Sequence, residues 1–179
     1  MKQIQLLLLA GCCLLFSCGN KNEGGMSDTA KKNLEAFKGV SKCIDSQDFT
    51  KIGDFIAADA LDHSDKGELK GLEAITANMK TYGDMSTGMS SEVVKALADD
   101  EYVMAWMKFR GTAKSAAMGM KPGEKYEMQG VEVTRCKDGK IVEHWTFVDP
   151  AEMMKMMGSM GQPVTDTIKM SGMPEASEK

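Results

Sequence analysis

The chain of 179 residues has no apolar run long enough to cross a membrane and no cluster of basic residues. A membrane-spanning helix needs about 20 apolar residues, whereas the longest apolar run extends only from Ile4 to Phe16. The net charge of −4, without a Lys/Arg cluster, argues against nucleic-acid binding. The sequence contains only two histidines, which lack metal-ligand spacing, so we predict neither a histidine-based metal site nor a bound cofactor.

The N-terminal apolar run has the features of a signal peptide. A single basic residue, Lys2, precedes it. It ends in Ser17 and Cys18, and this ending resembles the lipobox of bacterial lipoproteins, in which the cysteine is lipidated and the chain is cut just before it. The resemblance implies a signal peptide over 1–17 and a lipidated Cys18 that begins a flexible tether over 18–27. An ordinary secretory signal with a spare cysteine is the alternative.

A lipid anchor would make the membrane a permanent partner of the mature chain. We therefore expect the protein in the bacterial cell envelope, attached to a membrane on its periplasmic or surface side. Cys43 and Cys136 would lie in an oxidising compartment, which permits a disulfide between them. Each could equally be a small buried hydrophobic residue, and the sequence leaves both alternatives open.

Three amphipathic helices are predicted in the first half of the mature chain. Apolar residues at three- and four-residue spacing indicate a first helix around 34–44, a short second helix over 49–56 and a third over 72–82. Asp48 is placed to cap the second helix. The segment over 60–70 is polar, which is typical of a loop.

The pattern then changes to the alternation that is typical of strands. Candidate strands cover 90–98 and 101–111, and two more flank a turn at Asp138 and Gly139, which is a strong hairpin signal. Helices followed by an antiparallel meander predict an α+β fold.

The register of the last hairpin stays open at this stage. A two-residue loop pairs Glu132 with Trp145, whereas a three-residue loop pairs it with His144. After the hairpin, Asp149 and Pro150 have the properties of a helix N-cap and first helical position. A short C-terminal helix is expected to follow, and a polar, mobile tail over 163–179.

Several segments over roughly residues 32–161 resemble the SnoaL-like polyketide cyclase and ester cyclase family of the nuclear transport factor 2-like superfamily. The matching residues are the Asp/His segment 58–64, Gly111-Thr112, Met118-Gly119 with Pro122, Gly130 to Arg135, Asp138 to Ile141, Glu143-His144-Trp145 and Asp149. The resemblance implies a domain over 28–162 in which a curved antiparallel sheet wraps around the N-terminal helices and encloses an apolar pocket. It also implies a homodimer that pairs through the outer face of the sheet.

The family resemblance further implies that an acidic residue near the end of the last strand acts on a carbonyl compound. One matching position holds Thr146, whose hydroxyl cannot serve as a general base near neutral pH. The other holds Asp149, which also fits a helix cap. The catalytic candidates are therefore Asp149, His144 and Glu132, which lies in the middle of a strand.

The candidate ligand-binding residues are those predicted to line the apolar pocket. They are His63, Trp106, Met128, Trp145, Thr146 and Phe147. From these residues we predict a membrane-anchored domain that binds a small apolar molecule, with an unknown reaction. The alternative is a cyclase- or isomerase-type enzyme that uses acid/base chemistry on a carbonyl compound.

Methionines supply a third, weaker hypothesis. Met153, Met156, Met157 and Met160 recur at helical spacing, and thioethers are ligands that suit Cu(I). A pliable apolar wall is the simpler interpretation, because the spacing follows the helix period and neither histidine nor cysteine joins the group.

Overall fold

The computed structural model describes residues 25–64, 67–116, 120–151 and 154. Its helices and strands are, in chain order, α1 Asp28–Ser46, α2 Ile52–Phe55, β1 Ile56–Ser64, β2 Gly67–Lys70, α3 Leu72–Met85, β3 Ser86–Ala98, β4 Tyr102–Ala113, β5 Lys125–Lys137 and β6 Lys140–Val148. One sheet of six strands has the order β2-β1-β6-β5-β4-β3. The predicted α+β fold is confirmed. Within the described residues, no helix has the length and apolarity that crossing a membrane requires.

Helix α1 covers one face of the sheet. Its N-terminus is capped by Ser27, whose hydroxyl accepts a hydrogen bond from the Ala30 backbone N–H at 3.0 Å. Phe37 of α1 belongs to the same buried core as Val103 and Met107 of β4. We call the face that carries Val103 and Met107 the inner face, and the opposite face the outer face. Side chains alternate between these faces along each strand.

The prediction for residues 49–70 was largely wrong. Helix α2 has only four residues, and the chain continues as the hairpin of β1 and β2 where a loop was expected. Asp48 closes a turn instead of capping the helix, since its carboxylate accepts hydrogen bonds from the backbone N–H and the hydroxyl of Thr50. The apolar residues over 49–56 span too few turns to sustain a helix. Strand β1 is stabilised by its pairing with β6, which is distant in sequence.

The β1–β6 pair also changes the sheet type. These two strands run parallel, whereas every other neighbouring pair in the sheet is antiparallel. The expected antiparallel meander therefore holds for β3 to β6 only. A parallel pair needs a long crossover connection, and here the connection contains α3 and four strands.

The register of the β5–β6 hairpin matches neither sequence-based alternative. The loop does have two residues, and both Asp138 (φ 55°) and Gly139 (φ 76°) adopt the positive φ angles of a tight hairpin turn. However, the register changes between Cys136 and Arg135, where β6 contains one more residue than β5. Because of this bulge, Glu132 pairs with Thr146.

The remaining sequence predictions have mixed outcomes. Cys43 and Cys136 are both buried free thiols, so they do not form a disulfide. The backbone becomes helical at Pro150, and the Asp149 carboxylate accepts a hydrogen bond from the Ala151 N–H at 2.8 Å, as expected of an N-cap. The signal peptide, Cys18, the tail after 162 and the methionines Met153, Met156, Met157 and Met160 lie outside the described residues.

Candidate functional site

Four polar side chains meet on the inner face, beside the apolar core. The register places Asp62 of β1 opposite His144 of β6, and Thr146 of β6 opposite Glu132 of β5. Glu132 also pairs with Ala105 of β4, an inner-face core residue that is 1% exposed. We call Asp62, Glu132, His144 and Thr146 the inner-face cluster.

The shortest contact in this cluster joins Asp62 and His144. The imidazole Nδ1 of His144 lies 2.7 Å from Oδ1 of Asp62, and the side chains are 24% and 10% exposed, respectively. On the other side of the ring, Nε2 lies 3.3 Å from the Thr146 hydroxyl, which is at the exposed edge of the cluster. The carboxylate therefore orients the imidazole and leaves Nε2 directed towards the accessible side.

Burial raises the pKa of the Glu132 carboxyl above its ordinary value. The positive charge of His144 works against this rise, while the carboxylates of Asp62 and Asp45 add to it. Glu132 is thus a carboxyl group that holds its proton more tightly than a solvent-exposed glutamate does.

The pKa of His144 is raised as well, although its burial alone would lower it. The hydrogen bond to Asp62 and the negative charges of Glu132 and Asp62 together outweigh the burial. Both pKa values are higher in the folded chain than in the unfolded chain, so binding of these two protons stabilises the folded state. This contribution to the free energy of unfolding is fully present at low pH. It is lost as pH rises through the folded-state values.

The structure divides the predicted site residues between the two faces of the sheet. Glu132, His144, Thr146 and Met128 lie on the inner face, Met128 opposite Phe109 of β4. The other predicted ligand-binding residues occupy the outer face. These are His63, Trp106, Trp145 and Phe147.

The outer-face residues make contacts of their own. The ring of His63 stacks on that of Trp145, and the indole N–H of Trp106 donates to Gln129 at 2.9 Å. Phe147 is 58% exposed. Asp149, the third catalytic candidate, lies at the end of β6 and is engaged as the helix cap described above.

Asp62 was not predicted to be a site residue. The segment that contains it was expected to be a loop, in which alternation carries no information. In β1, neighbouring residues point to opposite faces, so Asp62 meets His144 on the inner face while His63 meets Trp145 on the outer face. The adjacent pair of Asp62 and His63 would have indicated a site residue on each face only if this segment had been recognised as a strand.

Metal binding receives no support from the part of the chain that the structure describes. Within that part, no group of three or more His, Cys, Asp or Glu side chains is arranged to hold a metal ion. The Cu(I) hypothesis concerns methionines outside the described residues, and it stays a prediction.

Solved structures with a similar fold carry different assigned activities. IdmH of Streptomyces antibioticus, a proposed polyketide cyclase, is 24% identical, with a TM-score of 0.61 over 70% of this chain and 98% of that one. A proposed SnoaL-like polyketide cyclase from Jannaschia sp. CCS1 is 16% identical, with a TM-score of 0.65 over 78% of this chain and 99% of that one. AclR of Streptomyces galilaeus, a proposed hydroxylase, is 20% identical, with a TM-score of 0.60 over 72% and 97%. At these identities the similarity shows the fold alone.

The family is shown by a separate comparison. No curated protein matches the sequence. The model of the family described as SnoaL-like polyketide cyclase matches residues 35–157, which include all the strands and α3. The chain therefore belongs to the SnoaL-like polyketide cyclase family.

Proposed function

We propose that the inner face binds a small molecule that bears a carbonyl group, and that His144 and Glu132 transfer protons to and from it. The observation that carries this proposal is the 2.7 Å contact between Asp62 and His144 on the same face as Glu132. Titratable groups with perturbed pKa values that converge on one face are typical of functional sites. They are also the groups that acid/base chemistry on a carbonyl compound requires.

The two titratable side chains suit different roles. Asp62 orients His144 through Nδ1, so that in the protonated imidazole the Nε2–H can donate to the carbonyl oxygen as negative charge develops there. Glu132, once ionised, is a stronger base than an ordinary glutamate because burial raises its pKa. It can remove a proton from the carbon next to the carbonyl group. Asp62 acts through His144 and is a positioning residue in this scheme.

The surroundings of the cluster suit an apolar ligand. Ala105 and Met107 are almost fully buried on the inner face, and Phe109 is partly buried against the same core. Met128 lies opposite Phe109 and adds a flexible thioether side chain. Apolar side chains beside a few convergent polar groups are typical of small-molecule sites.

Binding without turnover is the second candidate, and one residue favours it. Thr146 occupies the position at which the family resemblance implies an acidic residue, and its hydroxyl lies beside Nε2 of His144. A hydroxyl there can orient a ligand by hydrogen bonding, but it cannot act as a base near neutral pH.

The membrane anchor is a further part of the proposal. We infer that Cys18 is lipidated and that the domain is held on the bacterial cell envelope by this lipid. The described chain enters its first helix at Asp28, ten residues after Cys18 in the sequence. This spacing leaves a short polar connection between lipid and domain.

The ligand proposal predicts where small carbonyl compounds bind. A panel of aromatic ketones and β-diketones is added to the full chain, and chemical shifts are followed by NMR. We expect changes at the backbone amides of Glu132 and His144 and at the Met128 methyl group. The indole signal of Trp106, on the outer face, should stay unchanged. Changes confined to the outer face would contradict the proposal.

Turnover of any compound that binds then separates the two candidates. Glu132→Gln and His144→Gln should each slow turnover by about 10²–10⁴-fold, the usual contribution of a general acid or base. Asp149→Asn is the discriminating variant, because asparagine caps a helix as well as aspartate does. Loss of turnover in Asp149→Asn but not in Glu132→Gln would move the acid/base role to Asp149. Binding without any turnover would favour the second candidate.

The anchor is tested by lipid labelling. Expressed in a bacterium with labelled palmitate, the full chain should incorporate the label and fractionate with membranes, whereas Cys18→Ser should do neither. A Cys18→Ser variant that still carries label would contradict lipidation at this residue, and an unlabelled, secreted wild type would support the ordinary secretory signal.

We expect the protein to form a homodimer. The outer face exposes a group of large apolar side chains, which is uncommon on a protein surface without a partner. They are Leu97, Met104, Trp106, Val131 and Phe147. We propose that a second copy of the chain covers them, as the family resemblance implies. Sedimentation should show a dimer for the wild type and a monomer for Trp106→Glu. Tyr82→Glu, which changes an exposed side chain on α3, is the matched control. A monomeric wild type would contradict the dimer.

A further inference from the structure

The hairpin of β1 and β2 is attached to the rest of the sheet by little backbone pairing. Strand β1 pairs with β6 through Ile56 and then, after an irregularity in register, through three consecutive residues that end at His63. Its other neighbour, β2, has only four residues and forms the edge of the sheet. Besides the core packing of Ile56 and Ala60, side-chain contacts across the β1–β6 pair therefore help to position β1, which carries Asp62.

Those contacts are dense on the outer face. The rings of His63 and Trp145 are stacked, with centroids 4.8 Å apart and an interplanar angle of 6°. Nε2 of His63 donates to Oε1 of Glu143 at 2.9 Å, and Oε2 of Glu143 accepts from Nε and Nη2 of Arg135 at 2.9 and 2.8 Å. Glu68 of β2 places a carboxylate oxygen 3.6 Å from Nδ1 of His63.

These contacts link four strands. His63 belongs to β1, Glu68 to β2, Trp145 and Glu143 to β6, and Arg135 to β5. Glu143 is 18% exposed and His63 is 27% exposed, so their hydrogen bond is partly shielded from water. Charge-assisted hydrogen bonds are stronger than neutral ones, and they restrict geometry when they are shielded. We call His63, Trp145, Glu143 and Arg135 the outer-face cluster.

We infer that the outer-face cluster holds the inner-face site in place, and that His63 and Trp145 are positioning residues for it. Asp62 and His63 are successive residues of β1, and His144 and Trp145 are successive residues of β6. Stacking His63 on Trp145 therefore places Asp62 opposite His144 on the other side of the sheet. A slip of one residue would send Asp62 to the outer face and separate it from His144.

The inference rests on the proposed function and adds a structural dependence to it. His63 and Trp145, predicted from sequence to bind ligand, would influence the site from the opposite face without touching the ligand. The cluster also accounts for the presence of polar side chains on both faces at one point of the sheet. On each face, a histidine contacts a carboxylate across the same β1–β6 pair.

Hydrogen exchange and NMR on the full chain test the inference together. His63→Ala and Trp145→Ala should speed amide exchange in β1 by about tenfold relative to β4, given the usual strength of aromatic pairs and charged hydrogen bonds. The Nδ1–H signal of His144, which the Asp62 carboxylate shields from water, should broaden or disappear in both variants. Trp145→Phe keeps a ring for stacking and should retain most of the signal.

The matched control is Arg110→Ala, which removes outer-face hydrogen bonds from β4 to Glu127 and Glu92, away from the β1–β6 pair. It should leave the His144 signal and β1 exchange unchanged. If Trp145→Ala prevents folding, Glu143→Gln serves instead, because it weakens the bonds to His63 and Arg135 while keeping the shape of the side chain. It should then speed β1 exchange.

Two outcomes would overturn the inference. One is an unchanged His144 signal together with unchanged β1 exchange in the His63 and Trp145 variants. The other is an equal effect of the control variant Arg110→Ala. Failure of the proposed function is a different result. In that case no carbonyl compound would bind at the inner face of the wild type, while the His144 signal and β1 exchange would still report on the outer-face cluster.

Discussion

The hydrogen bond between Asp62 and His144 is the interaction on which the rest of the site depends. The two residues are 82 positions apart in sequence, and they meet only because β1 runs parallel to β6. The bond fixes which imidazole nitrogen is available on the open side. It also holds the negative charge of Asp62 near Glu132, and this charge helps to raise the pKa of the Glu132 carboxyl. Without β1 beside β6, the inner face would keep Glu132 and His144 but lose the group that orients the histidine.

The electrostatics of the inner face follow from this geometry. Carboxyl groups in partly buried surroundings are costly to ionise, and an imidazole in the same surroundings is costly to charge. A positively charged imidazole near two carboxyl groups reduces both costs, because opposite charges favour each other's charged forms. The site therefore places titratable side chains on the same face of the sheet as apolar residues such as Met107 and Met128. That combination of a proton source and an apolar surface supports the proposed chemistry on a carbonyl compound.

The sequence predicted the elements whose apolar pattern is long and regular. Helices α1 and α3, strands β3 to β6 and the Asp138-Gly139 turn were all found in this way. It failed for β1, because Asp62 and His63 are both polar although they point to opposite faces. Such a pattern is typical of a loop, and only the partners in β6 explain it. It also failed for the faces of Trp106 and Trp145. Alternation shows that neighbours differ in face, but only packing against α1 decides which face is inner. The bulge that pairs Glu132 with Thr146 has no sequence signal that we recognise.

The titration of His144 by NMR, in the wild type and in Asp62→Asn, tests the central claim most directly. The account predicts a pKa above the ordinary value of 6.5 in the wild type. It also predicts a fall in Asp62→Asn, where burial is no longer opposed by the charged hydrogen bond. His63, which is on the outer face, provides an internal reference in the same spectra. A His144 that titrates at its ordinary value in both proteins would contradict the account, since Asp62 would then neither orient nor charge the imidazole.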